Sequence, residues 1–501
     1  MNKNAQDKDI YPMDLDQNLL RVEWLGAANE YPLCSRNDKI KNYILRLLFC
    51  SLLLALLYYG FGLLSLAAES AQAGITPIWL PSGVAFAAFF IFGIRLWPGI
   101  FLGMYLIALD AGIPIQVAMV AALGSVLEAA VPVALLRYLG FGSGLVKVKE
   151  VLAFSLLAVV VGPMISASMG VMGFGYLLGG LSAPWTTLWL FWWLGNALGI
   201  ITLGGFLLSW SRNWRISLRA LLELILFSLV LGYAVTVAVS EAKEAVSLLF
   251  LFMGTPIFLI GAIRYGPRGV TFLGLALAAA FLVVGAWINP DCFRKADITY
   301  LYLDIAYVGV AVFTGLIVAA AFAEQTHYQS LHKRANYDFL TELLNRAAFV
   351  ERMELALEGT RNQVASHCLL YLDLDGVKTV NDTASHEAGD RLIRNTAQVI
   401  KKAIRQRDCA GRLGGDEFAV LLWHCPLDRA HAIADEIRRS ISAAPFEWED
   451  FRYDVTISIG GALLDSDVPD VQTAMNRADE ACYMAKRGGG DSVVFGRESI
   501  I

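Results

Sequence analysis

Gly414-Gly415-Asp416-Glu417-Phe418 decides how the C-terminal third of this 501-residue chain is read. Two adjacent glycines permit unusual backbone angles and a close approach of backbone to a ligand, which Cβ atoms would prevent. Two carboxylates follow at once. Upstream, an apolar run over residues 367–373 ends in Asp373-Leu374-Asp375, and Lys378, Asn381-Asp382, His386 and Gly389-Asp390 come after it. Downstream lies Arg477-Ala478-Asp479-Glu480-Ala481-Cys482-Tyr483-Met484-Ala485-Lys486. Around these residues helical and strand patterns alternate. Helices are predicted over 347–358, 387–406, 428–442 and 474–487, and strands over 367–373, 453–464 and 492–495. Residues 408–413 and 418–424 read as a hairpin with the glycine pair at its turn. Such alternation predicts a ferredoxin-like α+β core. Asp373 then ends a strand, and Asp416 lies just past the turn of the neighbouring hairpin.

This ordered series resembles the GGDEF family of diguanylate cyclases over about residues 335–496. The resemblance implies the family's palm-like fold and the condensation of two GTP molecules into cyclic di-GMP, with two pyrophosphates released. Mg²⁺ favours hard oxygen ligands and takes one or two carboxylates beside phosphates. By resemblance, Asp373 and Asp416 are ligands of Mg²⁺, with Mn²⁺ as an alternative, and Leu374 adds its backbone carbonyl. Asp416, with Glu417 as the second candidate, assists deprotonation of the attacking 3′-hydroxyl. Gly414 and Gly415 cradle the nucleotide, Lys378 and Lys486 hold phosphate, and Asn381 and Asp390 read the guanine edge. His386 matches a motif histidine, read either as a substrate contact or as a brace for the Asn381 loop. Arg405-Gln406-Arg407-Asp408 matches the family's R-x-x-D motif, which implies a product site where cyclic di-GMP feeds back through Arg405 and Asp408. One GTP per domain implies a homodimer. The chain departs from the family pattern at four places: Glu342 and Ser385 replace glycines, Val377 replaces an aromatic residue, and Gly490 replaces an arginine.

The rest of the chain is of another kind. Charged residues make up 17% overall, but they are sparse between about residues 42 and 323, where long apolar runs dominate. A run of about 20 apolar residues crosses a bilayer. Runs near 43–67, 76–94, 97–110, 114–136, 151–178, 186–209, 220–239, 246–263, 269–288 and 299–323 predict eight to ten spans, the third being short and interrupted by Trp97-Pro98. Alternate loops carry Arg95; Arg137, Lys147 and Lys149; Arg212, Arg215 and Arg219; Arg264 and Arg268. The positive-inside rule places these loops, and with ten spans both termini, in the cytoplasm; the expected location is the bacterial inner membrane. Ile78-Trp79-Leu80-Pro81-Ser82-Gly83-Val84-Ala85, with Gly93-Ile94-Arg95-Leu96-Trp97-Pro98-Gly99, resembles the opening of the type-one membrane-associated sensor (MASE) domain. Within the spans Glu128 stands out, because intramembrane carboxylates face a bundle interior or cavity. It reads equally as part of a sensing or proton-responsive pocket and as a carboxylate that lies near an interface or is satisfied by a Ser or backbone partner.

The expected organisation is a cytoplasmic segment 1–41, a multi-span sensor 42–323, a helical linker 324–337 and a GGDEF domain 338–501. The net charge of −5 argues against a nucleic-acid-binding surface. Seven cysteines without C-x-x-C spacing provide neither a disulfide nor a zinc framework. The leading reading is a membrane-bound diguanylate cyclase. The alternative from another class is a catalytically silent GGDEF module that binds GTP or cyclic di-GMP as a receptor or scaffold.

Overall fold

The computed structural model describes residues 36–68, 76–142, 144–177, 184–211, 216–240, 254–288, 298–361, 367–449 and 451–496. The chain divides into two units, Met1–Gln325 and Thr326–Ile501. Most of the expected N-terminal segment, residues 1–35, lies outside the described residues.

In the first unit seven described helices are long and apolar enough to cross a membrane. Two of the expected spans are shorter helices: Leu80–Phe92 with 13 residues and Trp97–Asp110 with 14. At 1.5 Å per residue neither covers a hydrocarbon core alone. Part of the expected 246–263 span falls outside the described residues. The remainder joins the following span as Thr255–Val283, broken at Gly266 (φ 62°, ψ −151°). The break has a local cause. Pro267 disfavours helical angles in the residue before it, and only glycine adopts this backbone freely.

Backbones meet closely in this unit because side chains are missing where they cross. A Cβ on Gly83 would fall on the Gly199 carbonyl, and one on Gly199 would fall on the Trp79 carbonyl. The Trp79 N–H donates to the Gly195 carbonyl at 2.9 Å. Small residues at such crossings are how membrane helices gain contact without a hydrophobic driving force.

The second unit is built on a six-stranded mixed sheet. Its strands are β1 (Leu344–Asn345), β2 (His367–Asp375), β3 (Cys409–Gly414), β4 (Glu417–Leu422), β7 (Thr456–Leu464) and β8 (Val493–Phe495), in spatial order β1-β3-β4-β2-β7-β8. A separate hairpin pairs β5 (Phe446–Trp448) with β6 (Phe451–Tyr453). The four central strands β3-β4-β2-β7 have the ferredoxin-like order and pair with one another antiparallel; the outer strands β1 and β8 add to β3 and β7 in parallel. Helices cover both faces. Val377–Thr383, His386–Ala403 and Leu427–Ser442 close one core, and Arg346–Arg361 and Val471–Arg487 close the other.

Glu342 lies in an exposed turn with φ 55°. A left-handed non-glycine residue costs roughly 1–2 kcal/mol. The position at which this chain departs from the family's glycine is therefore one that favours glycine. Glu342→Gly is expected to stabilise the C-terminal unit by about 1 kcal/mol, a rise of roughly 3 °C in its melting transition. Calorimetry of the full-length protein checks this; an unchanged or lowered midpoint would show that the turn stores no strain.

Candidate active site

The site begins with the alternation of β2. Cys368, Leu370, Leu372 and Leu374 enter one core, while Leu369 and Tyr371 enter the other. A period of two puts Asp373 and Asp375 on the face of Leu369 and Tyr371. That face is covered by Val471–Arg487, so Lys486 reaches across, with Nζ 2.6 Å from Asp373 Oδ2. The register sets Asp373 opposite Glu417. At the same end of the pair the Leu374 N–H donates to the Asp416 carbonyl at 3.2 Å. Asp373, Leu374, Asp416, Glu417 and Lys486 therefore converge at one end of the sheet.

Asp373 Oδ1 is buried and has no hydrogen-bond partner among the described residues. Burial, and then the charges of Asp416 and Glu417, push the Asp373 carboxyl above the usual carboxylate range despite Lys486. Burial acts to lower Lys486, but its hydrogen bond to Asp373 and that residue's charge outweigh it and leave the amine raised. Tyr371 is pushed up by burial, then by the charges of Glu417 and Asp479. The site thus holds crowded negative charge around an orphaned oxygen. A hard cation meets both needs, so the donors present fit a divalent ion.

Two residues to which the sequence reading assigned no role hold this arrangement. Asp375 accepts from Thr456 Oγ1 and Ser458 Oγ, each at 3.0 Å, and ties β2 to β7. Arg412 grips the glycine turn. Its Nε and Nη2 donate to the Gly415 carbonyl at 2.9 and 2.7 Å, and Nη1 donates to Asp338 Oδ1 at 3.2 Å. Burial acts to raise the Asp338 carboxyl, but hydrogen bonds from Thr341 and the Arg412 charge outweigh it and hold it low. An arginine inside an otherwise apolar strand was the signal available in the sequence. Gly415 adopts φ 42°, and the β3–β4 register shifts between Arg412 and Gly414, so the turn is bulged as well as tight.

The nucleotide-reading candidates form a second group. Lys378 is exposed on the short helix Val377–Thr383. Asn381 is half-buried against Gly389, where a Cβ would fall on Asn381 Oδ1. The contact sets Asn381 against the residue that precedes exposed Asp390. His386, also exposed, is the first residue of His386–Ala403 and shares a helix face with Asp390. Ser385 caps this helix, its side chain accepting from the Ala388 N–H at 3.2 Å. Its extended backbone needs no glycine.

Arg405 and Asp408 sit apart from both groups, before the far end of β3. The Asp408 carboxylate is committed to backbone: Oδ1 accepts from Trp423 N–H and Oδ2 from Arg405 N–H, both at 3.1 Å. Burial raises this carboxyl above its ordinary range, against the Trp423 bond and the Arg407 charge. The Arg405 side chain is exposed.

The model of the MASE1 family matches residues 47–326, more than half of the chain. The chain is a MASE1-family membrane protein with a C-terminal GGDEF domain. The second part rests on the model described as diguanylate cyclase, GGDEF domain, which matches residues 335–492. The probable diguanylate cyclase DgcE of Escherichia coli is 36% identical over 174 residues, covering 35% of this chain and 16% of that protein. The diguanylate cyclase DgcP of Pseudomonas aeruginosa is 34% identical over 171 residues, 34% of this chain and 25% of that one. This chain therefore spans a quarter or less of these two relatives. A crystal structure of the coiled coil and GGDEF domain of DgcB from Caulobacter crescentus in complex with c-di-GMP is 31% identical. It covers 34% of this chain and 91% of its own, with a TM-score of 0.33. The MASE1 and GGDEF matches leave residues 327–334 between them, within the continuous helix Ile298–Asn336.

Replacing Arg412 by lysine keeps a charge near Asp338 but loses the fork that holds Gly415. In Arg412→Lys, amide exchange over residues 413–418 is expected to accelerate roughly tenfold, the amount a lost charge-assisted bond of about 1.4 kcal/mol allows. The rest of the sheet should keep its protection. Unchanged exchange at the turn would show that the glycines hold their shape without Arg412.

Proposed function

We propose that the GGDEF domain of this protein condenses two GTP molecules into cyclic di-GMP, releasing two pyrophosphates, and that the MASE1 unit regulates it. The observation that carries the proposal is the buried, unpartnered Asp373 Oδ1 at the point where Asp416, Glu417 and Lys486 converge. A divalent cation, Mg²⁺ or Mn²⁺, would be held by Asp373, Asp416 and the Leu374 carbonyl; when bound it neutralises phosphate charge and lowers the pKa of the attacking hydroxyl.

The remaining work belongs to the chain's own residues. Asp416, with Glu417 beside it, takes the proton of the 3′-hydroxyl. Lys486 and Lys378 bind phosphate oxygens. The bulged Gly414-Gly415 turn lets the nucleotide lie against backbone. Asp390 accepts from guanine N1–H and the N2 amine together, a donor pair that adenine lacks, with Asn381 and His386 next to it. A single domain holds one GTP, so two domains must face each other in a homodimer. Helix Ile298–Asn336, which covers all but the last residue of the expected 324–337 linker, is a stiff element suited to passing a change from the MASE1 unit. The basic loops support placement in a bacterial inner membrane with both termini cytoplasmic, where GTP is available.

The silent-receptor alternative draws on Gly490. The family's arginine is absent, and the backbone there has φ 77°, with Asp375 close to where a Cβ would sit. Asp373→Asn and Asp416→Asn separate the readings. Each is expected to lower cyclic di-GMP synthesis by 10³-fold or more, roughly 4 kcal/mol of transition-state stabilisation. Each should also reduce the stabilisation that Mg²⁺ with GTP gives in a thermal shift. A wild-type protein that binds GTP without making product is a receptor.

Feedback by cyclic di-GMP is proposed at Arg405, presented by a turn that Asp408 braces. Arg405→Ala should leave initial rates with GTP nearly unchanged and raise the product concentration that halves the rate by roughly tenfold. Asp408→Ala should instead lower the melting midpoint, because it frees two backbone amides. If both variants only destabilise, Arg405 is not a product contact.

A further inference from the structure

Five helical segments of the MASE1 unit bring polar side chains to one place in an apolar core. Glu128 and Ser125 come from Ile115–Tyr138, Asn196 from Trp185–Gly199, Ser166 from Gly162–Leu177, Ser82 from Leu80–Phe92 and Tyr58 from Arg36–Leu66. None is more than 5% exposed. Asn196 Nδ2 donates to Glu128 Oε2 at 3.1 Å and to Ser166 Oγ at 3.3 Å. That satisfies one carboxylate oxygen. Glu128 Oε1, Ser82 Oγ and Tyr58 OH are buried without a partner among the described residues. Ser82 lies beside the Glu128 carboxylate, while the Tyr58 hydroxyl, next to Ser125 and Trp79, is within range of its charge.

The local backbone is equally unusual. Residues Phe154–Val161, leading to Ser166, and Ile200–Gly204, following Asn196, are wound as π-helix. Such stretches recur at functional sites because they re-aim side chains at the expense of regular winding. The same Ile200–Gly204 stretch lies against Gly83, the residue after Ser82.

Charge decides what the cluster takes. An uncompensated carboxylate in an apolar core is costly. Among the described residues the titratable groups at the cluster are Glu128 and Tyr58, and neither supplies positive charge. The partner must therefore come from outside the side chains. A carboxylate oxygen with hydroxyl oxygens is a hard-oxygen donor set, and one negative charge balances one positive charge. A divalent ion would leave a net charge in the core. We propose that Glu128, Ser82 and Tyr58, backed by Asn196, Ser166 and Ser125, form a buried site for a monovalent cation, either Na⁺ or a proton, which sets the packing of Leu80–Phe92 against Trp185–Gly199. The proposal is independent of the cyclase chemistry.

The test uses full-length protein in lipid nanodiscs and thermal unfolding followed by tryptophan fluorescence. Na⁺ replaces choline at constant ionic strength, from pH 6 to pH 9. If Na⁺ is the occupant, the wild-type midpoint at pH 8 to 9 rises saturably by roughly 3 °C or more, as ligand linkage requires. If the occupant is a proton, Na⁺ has no effect and the same rise follows acidification. Glu128→Gln, which keeps the shape and the Asn196 contact but removes the charge, should show neither response beyond what the C-terminal unit contributes. Insensitivity of the wild type to both ions, or an identical response in Glu128→Gln, overturns the proposal. Should Glu128→Gln fail to fold, Ser82→Ala decides: it must shift the half-saturating Na⁺ concentration, or the pH of the transition, by several-fold or about a unit. An unchanged value overturns the site.

Discussion

The candidate active site of the GGDEF domain depends on keeping the Asp373 carboxylate at the end of a buried strand. Its position follows from strand parity: the residues that alternate with it fill the two cores, and a one-residue slip would turn it to the opposite face. Burial and the neighbouring Asp416 and Glu417 make that carboxylate costly to keep charged, and Lys486 compensates only one of its oxygens. Asp375 locks the strand to β7, and Arg412 locks the glycine turn that carries Asp416. The sheet thus concentrates negative charge where a cation and phosphates can offset it.

The MASE1 unit poses the same physical problem in a harsher solvent. Glu128 is buried with one oxygen satisfied and one not, among helices whose backbones approach through glycine. In both units a donor satisfies one oxygen of a buried carboxylate and leaves the other open. Water can reach the exposed edge of the C-terminal site and soften that imbalance. The core of the MASE1 unit, where Glu128 is 2% exposed, offers no such relief.

Much of the C-terminal fold was legible because its strands alternate cleanly and its turn carries two glycines. The helices predicted over 428–442 and 474–487 and the strand over 367–373 match observed elements to within a few residues. The strand Leu344–Asn345 and the hairpin of Phe446–Trp448 with Phe451–Tyr453 were not legible, since two or three residues carry no period. Asp373, Asp416, Glu417 and Lys486 could be named from their order in the chain. The roles of Asp375 and Arg412 could not, because they depend on cross-strand partners that register alone reveals. Asp408 was legible as part of a motif, whereas its commitment to two backbone amides was not. In the membrane half, apolar runs located the helices, and the short run over 97–110 matches Trp97–Asp110. The run over 76–94 passes both ends of Leu80–Phe92, because the residues flanking that helix are largely apolar too.

The central claim is that the charge gathered at Asp373 and Asp416 serves nucleotidyl transfer between two GTP molecules. The most direct measurement is incubation of purified full-length protein with GTP and Mg²⁺, with products identified by mass and pyrophosphate quantified. Cyclic di-GMP with two pyrophosphates per molecule is the expected result. GTP recovered intact, or converted to GDP and phosphate, would contradict it.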